Sequence, residues 1–143
     1  MNADAELLNF IYQNSQMGVE SLGKILPNVK EGRFKEQLAA QNNEYKRIYR
    51  LSREHLNKHG FDEKGIGQMQ KLMTYMMIDM KLLMDSSQSN IAQMLMKGSN
   101  MGIIDAQKNI NQYEKEASKD TLDLMRHLLQ FEEENVERLK EYL

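Results

Sequence analysis

Only one residue of this 143-residue chain is a proline, Pro27, and the apolar residues on both sides of it recur at helical intervals. Pro27 cannot continue a helix, and Pro27-Asn28-Val29-Lys30 forms a short turn. The second interruption is the segment Gly60–Gly67, which holds Gly60, Gly65 and Gly67. These marks predict a first helix over about Asp4–Leu26 and a second over about Glu31–Lys58. Gly60 would close the second helix as a left-handed cap, with His55, Lys58 and His59 in its last turn. A shorter helix over about Gly67–Met84 follows, and Asp85-Ser86-Ser87 breaks it and offers a new N-cap. Two more helices are expected over about Ser87–Glu116 and Lys119–Tyr142, with Ser118 as the N-cap of the last. One Pro and 8 Gly are too few for a sandwich or barrel with many tight turns. The expected fold is all-α, in one domain over residues 1–143.

Composition removes several function classes. Without Cys there are no disulfides, thiolate zinc sites, cysteine nucleophiles or iron–sulfur clusters. Nineteen Lys and Arg are spread among 21 Asp and Glu, so no basic footprint for nucleic acid and no charged tail exists. No run of 18 apolar residues would span a membrane, and the start, Met1-Asn2-Ala3-Asp4-Ala5-Glu6, lacks a signal peptide's basic region. A cytoplasmic chain with neither a nucleic-acid nor a membrane partner is expected. Gly-rich phosphate loops, nucleophile elbows and kinase signatures are missing, which argues against an enzyme.

Helix lengths suggest the topology. Short turns make antiparallel hairpins of the first two helices and of the last two. The third helix, about 18 residues and so about 27 Å long, is an extra crossover that lets the fourth start at the end where the second started. A faint repeat agrees: Ser15-Gln16-Met17-Gly18-Val19 matches Ser99-Asn100-Met101-Gly102-Ile103 in the first helix of each hairpin. Gly18, Gly98 and Gly102 each cost about 1 kcal/mol in a helix interior, which points to close helix approach or to room for a ligand.

Polar residues on the apolar stripes are the candidate site. In the last helix, Leu122, Met125, Leu129, Val136, Leu139 and Leu143 leave one gap, at Glu132. In the fourth, the stripe Ile91, Met94, Leu95, Gly98, Met101, Gly102 continues to Asp105. Gln41 is flanked by apolar positions in the second helix and Ser15 in the first, whereas Glu20 points away and should be solvated. Asp105 and Glu132 lie about 12 and 14 residues from the last turn, and Ser15 and Gln41 about 13 from the first, so all four should meet in one layer. Glu44 and Asn135 would flank it. Tyr45 is expected to donate to Asp105, and Gln41 to Glu132.

The long crossover and this polar layer resemble the ferritin-like superfamily across the whole chain, and most of all its small bacterial members. The resemblance implies a ferritin-like four-helix bundle with an extra crossover helix. Its di-iron and di-manganese members carry Glu-x-x-His on the helices that correspond here to Gln41-Asn42-Asn43-Glu44 and Glu132-Glu133-Glu134-Asn135. Neither His is present, and the first helix offers Ser15 where a Glu belongs. A metal site implied by the resemblance would use Glu132, Asp105 and Glu44, with Gln41 and Asn135 as neutral ligands, and would hold iron, manganese or another hard cation. The missing imidazoles favour a non-catalytic structural or interaction protein, with a hydrogen-bonded layer in place of that site.

Half of the 12 Met lie on one face of the crossover helix: Met69, Met73, Met76, Met77, Met80 and Met84. Packing of this face on the bundle is the leading expectation, because Met fills irregular gaps well. An adaptable interface to a partner or a second copy is the alternative, and thioether binding of Cu(I) a third. His55 and His59 are assigned to the helix end rather than to a metal, and His127 to the outer side of the last helix.

Overall fold

The computed structural model describes residues 2–143. Among them are five α-helices and no strand: α1 (Ala3–Ile25), α2 (Arg33–Lys58), α3 (Gln68–Met84), α4 (Gln88–Tyr113) and α5 (Lys119–Leu139). Short 3-10 segments, Leu26–Asn28 and Lys140–Tyr142, extend α1 and α5. Among the described residues no helix is long and apolar enough to cross a membrane. The predicted boundaries hold to within about three residues, the largest differences being the earlier ends of α4 and α5.

The helix ends follow local chemistry. Asn2 accepts from the Ala5 amide at 3.1 Å and caps α1. Gly60, at φ 83°, closes α2 as expected. The Phe61 amide reaches Leu56 O at 2.9 Å and the Gly60 amide reaches Asn57 O at 3.0 Å, which is the Schellman pattern. Ser118 precedes α5 but does not cap it with its own hydroxyl. Instead its amide and hydroxyl reach Asp4 Oδ1 at 2.8 and 2.9 Å, and Asp120 accepts from the Thr121 amide at 3.0 Å.

α1 packs on α2 and α4 on α5, as two antiparallel hairpins. α1 also touches α4 and α5, and α2 touches α5. Phe34, at the start of α2, meets the Tyr142 ring at a centroid distance of 4.8 Å, and α4 touches the same closing 3-10 turn. The core between the hairpins includes Leu8, Ile11, Leu22, Leu38, Ile48, Met125 and Leu128. Burying each stabilises by roughly 1.5–3 kcal/mol.

α3 lies against α1 and is bound to it largely by polar groups. Glu20, expected to be solvated, accepts from the Tyr75 hydroxyl and pairs with Lys71 at 3.3 Å. Lys24 pairs with Asp79 at 3.2 Å. The loop before α3 is tied to the same side of α1: the Lys64 amide to Asn9 Oδ1, Gln13 Nε2 to Lys64 O, and the Ile66 amide to Gln16 Oε1, at 2.8–3.0 Å. Only Ile78 of α3 is buried. The expectation that the Met face packs on the bundle is corrected: Met69, Met73, Met76, Met77, Met80 and Met84 are all exposed, from 48 to 84%. One buried Ile and a polar seam suffice to seat the helix, so its methionines face solvent.

Candidate functional site: a buried carboxylate in a neutral cage

Glu132 faces inward from α5 and is only 2% exposed. A bare carboxylate at such a position is costly, and four neutral side chains donate to it. The Tyr45 hydroxyl donates to Oε1 at 2.5 Å, Ser99 Oγ at 3.0 Å and Asn135 Nδ2 at 3.3 Å. Asn14 Nδ2 donates to Oε2 at 3.0 Å. The Tyr45 and Phe131 rings meet in a T-shaped arrangement with centroids 4.9 Å apart, which helps to hold the phenol in place.

The expected layer, one inward polar residue from each hairpin helix, is present with different members. α1 supplies Asn14 rather than Ser15, α2 Tyr45 rather than Gln41, and α4 Ser99 rather than Asp105. Ser15 is buried but bonds back to Ile11 O and Tyr12 O of its own helix. Gln41 does not donate to Glu132: its Nε2 is buried and makes no hydrogen bond among the described residues, and neither does Asn135 Oδ1. Asp105 is exposed. Measured from the middle of the turn between Tyr113 and Lys119, Ser99 and Glu132 are nearly equidistant and Asp105 is not. Ser99 was in view as a member of the repeat; Asn14, beside Ser15, carried no signal of its own.

Glu44 lies at the seam of α2 and α5. Arg47 Nε is 2.6 Å from its Oε1, and His127 Nε2 is 2.8 Å from its Oε2. These partners hold its pKa below the usual carboxylate range, the Arg47 hydrogen bond most of all. His127 therefore has a partner and is not simply solvated. The three carboxylates of the expected metal site are thus not brought together. Among the described residues, no three His, Asp or Glu side chains converge to hold an ion.

The repeat glycines sit on the two partners of the central hydrogen bond. A Cβ at Gly18 would lie 2.6 Å from the Tyr45 ring, and one at Gly102 would lie 2.9 Å from Glu132 Oε2. Close approach is therefore the right account of both. Gly98 differs: its missing Cβ faces open space. It borders a groove of about 530 Å³ between α1, α3 and α4 whose floor includes Glu132. A smaller cleft of about 310 Å³ lies between α2 and α5 beside Glu44 and His127.

No family model, curated protein or solved structure matches the chain. The Glu132 carboxylate is buried and takes hydrogen bonds from all four hairpin helices. Burial raises its pKa against the pull of its four hydrogen bonds. Burial, and then the neighbouring Glu132 charge, push the Tyr45 phenol well above its usual value. All four donors to the carboxylate are neutral, so its charge is met by dipoles rather than by a cation.

Proposed function

We propose that this protein is a non-catalytic interaction protein on a ferritin-like four-helix bundle with an added crossover helix, and that it associates with a second copy of itself through α3. The observation that carries the reading is the exposed face of α3. Met69, Leu72, Met73, Met76, Met77, Met80, Leu83 and Met84 are all solvent-exposed there, Met84 at 84% and Leu83 at 89%. Contiguous apolar surface of this kind marks an interaction site, and flexible thioethers repack readily against a partner. Of the three charges on α3, Asp79 and Lys71 are engaged with α1, and half-buried Lys81 lies at the edge of the face. A face so poor in free charge meets its own copy without like-charge repulsion. The Glu132 cage takes the place of a metal centre and fixes helix register, a role that buried polar layers serve elsewhere.

Sedimentation velocity tests the proposal on the wild type and on Met73→Glu, Met80→Glu, neither of which borders the groove over Glu132. The wild type should sediment as a dimer or larger and the variant as a helical monomer. A wild type that stays monomeric up to high concentration overturns self-association. Metal analysis of protein purified without chelator tests the remainder: stoichiometric iron or manganese would replace the structural account of Glu132.

A further inference from the structure

The groove between α1, α3 and α4 combines three properties. Its walls are apolar and soft, with Phe10, Met17, Met77, Met94 and Met101 among them. Its lining holds two carboxylates, Glu132 on the floor and Asp105 at the exposed edge, and no Lys, Arg or His. Its floor also presents acceptors with spare capacity. Glu132 Oε1 takes three hydrogen bonds, but Oε2 takes one, from Asn14. A carboxylate offers about four lone-pair positions, so Oε2 can accept another donor.

At Gly102 no side chain covers that atom. A Cβ there would sit 2.9 Å from Glu132 Oε2 and 3.0 Å from Asn14 Oδ1, so any side chain at 102 would cover both oxygens. Among the described residues no hydrogen bond occupies Asn14 Oδ1, whose amide nitrogen is the one turned to Glu132. One turn earlier, at Gly98, the missing Cβ faces open space and widens the same passage. Two oxygen acceptors, one of them anionic, thus flank a bare stretch of backbone at the base of an apolar trough. The arrangement suits a donor with positive charge and an aliphatic tail. An anion would meet two carboxylates, and a wholly apolar ligand would strip water from Oε2 without replacing it.

We propose that this groove is a binding site for an aliphatic ammonium, its N–H groups donating to Glu132 Oε2 and Asn14 Oδ1 and its chain lying along the methionine wall. A charge-assisted hydrogen bond to a buried carboxylate is stronger than a neutral one, and the surrounding low dielectric strengthens it further. Asp105, at the rim, adds attraction to the approaching cation. The site is independent of self-association: of the exposed apolar residues on α3, only Met77 borders the groove.

Hexylamine, protonated at pH 7, and hexanol, a neutral molecule with the same chain, separate charge from hydrophobicity. Each is titrated into protein carrying carbon-13 methionine methyl groups, with NMR as the readout. Hexylammonium should shift the methyl signals of Met17, Met94 and Met101 saturably and leave those of Met69 and Met84 in place. Hexanol should bind about tenfold more weakly or worse. Glu132→Gln, close in shape, should bring hexylammonium down to the affinity of hexanol. Asp105→Asn, at an exposed position that keeps the fold, should weaken hexylammonium about two- to threefold through the lost rim charge. Equal binding of the two probes by the wild type overturns the proposal, as does saturation confined to Met69 and Met84. Unchanged hexylammonium affinity in a folded Glu132→Gln protein overturns it as well.

Discussion

Ionised Glu132 is opposed by its own burial, and the sign of that opposition can be measured. Its pKa is raised in the folded protein, so the native state binds this proton more tightly than the unfolded chain does. Stability from this group is therefore gained as pH falls through the raised pKa toward the unfolded value of about 4.3. Glu132→Gln removes that dependence and keeps an acceptor for Tyr45 and Ser99. Thermal melts of the two proteins should differ by no more than about 1–2 kcal/mol at pH 7, with the wild type gaining relative to the variant toward pH 4.5. Glu132→Ala should cost about 3 kcal/mol or more, because it leaves three buried donors without an acceptor and opens a cavity. Asp120 behaves in the opposite way. Hydrogen bonding from Ser118, and then the nearby His59, lower its pKa to about 2. Its contribution is complete above about pH 4 and is lost as pH falls through about 2. Asp120→Asn should therefore melt below wild type at pH 7, and the gap should close on acidification to pH 2. Glu132 itself was legible in the sequence as the gap in an apolar stripe. Its donors were not: Gln41 and Tyr45 sit on nearly the same face, Asn14 lies about 100° round from Ser15 at the edge of the stripe, and only packing decides which side chain turns to the carboxylate.

Helix by helix, the apolar stripe was easy to read except on α3, whose methionine stripe faces solvent, and on α4, where the large residues mislead. Met101 and Ile104 are exposed, and the inward face runs through Ser99, Gly102, Ala106, Ile110 and Tyr113. Close packing selects small residues at a helix contact, so the stripe of bulky side chains lies out of phase with the buried one. That error of phase carried Asp105 into the expected metal site. The glycines of the same helices should respond to alanine with opposite signs. Gly98→Ala meets open space and should stabilise by about 1 kcal/mol through helix propensity alone. Gly18→Ala drives a Cβ into the buried Tyr45 ring and should destabilise by about 1–3 kcal/mol despite the same gain in propensity. Denaturant unfolding of both variants checks the contrast, and equal effects would mean that Tyr45 moves aside without cost. α3 was placed correctly along the chain, yet its polar seam with α1 escaped notice, since Asn9, Gln13, Gln16, Glu20 and Lys24 look like an ordinary solvated face.

At the scale of the whole molecule, two kinds of contact hold different parts together, and salt separates them. The hairpins share an apolar core that ionic strength scarcely affects, whereas α3 rests on Ile78 and on the pairs Lys71–Glu20 and Lys24–Asp79. These pairs are partly exposed, so each contributes little and is screened by salt. Amide hydrogen exchange in α3 should then be faster than in α1, α2, α4 and α5, and should quicken between about 50 mM and 500 mM NaCl while the other helices hold steady. Association through the methionine face should not follow that trend. An interface of thioethers with few free charges keeps its affinity as ions are added, because its driving force is removal of apolar surface from water. If α3 loosens from α1 at high salt while the dimer persists in sedimentation equilibrium, the helix is held to its own chain by charge and to its partner by methionine. A dimer that weakens about tenfold over the same range would place charged groups, and not this face, at the interface.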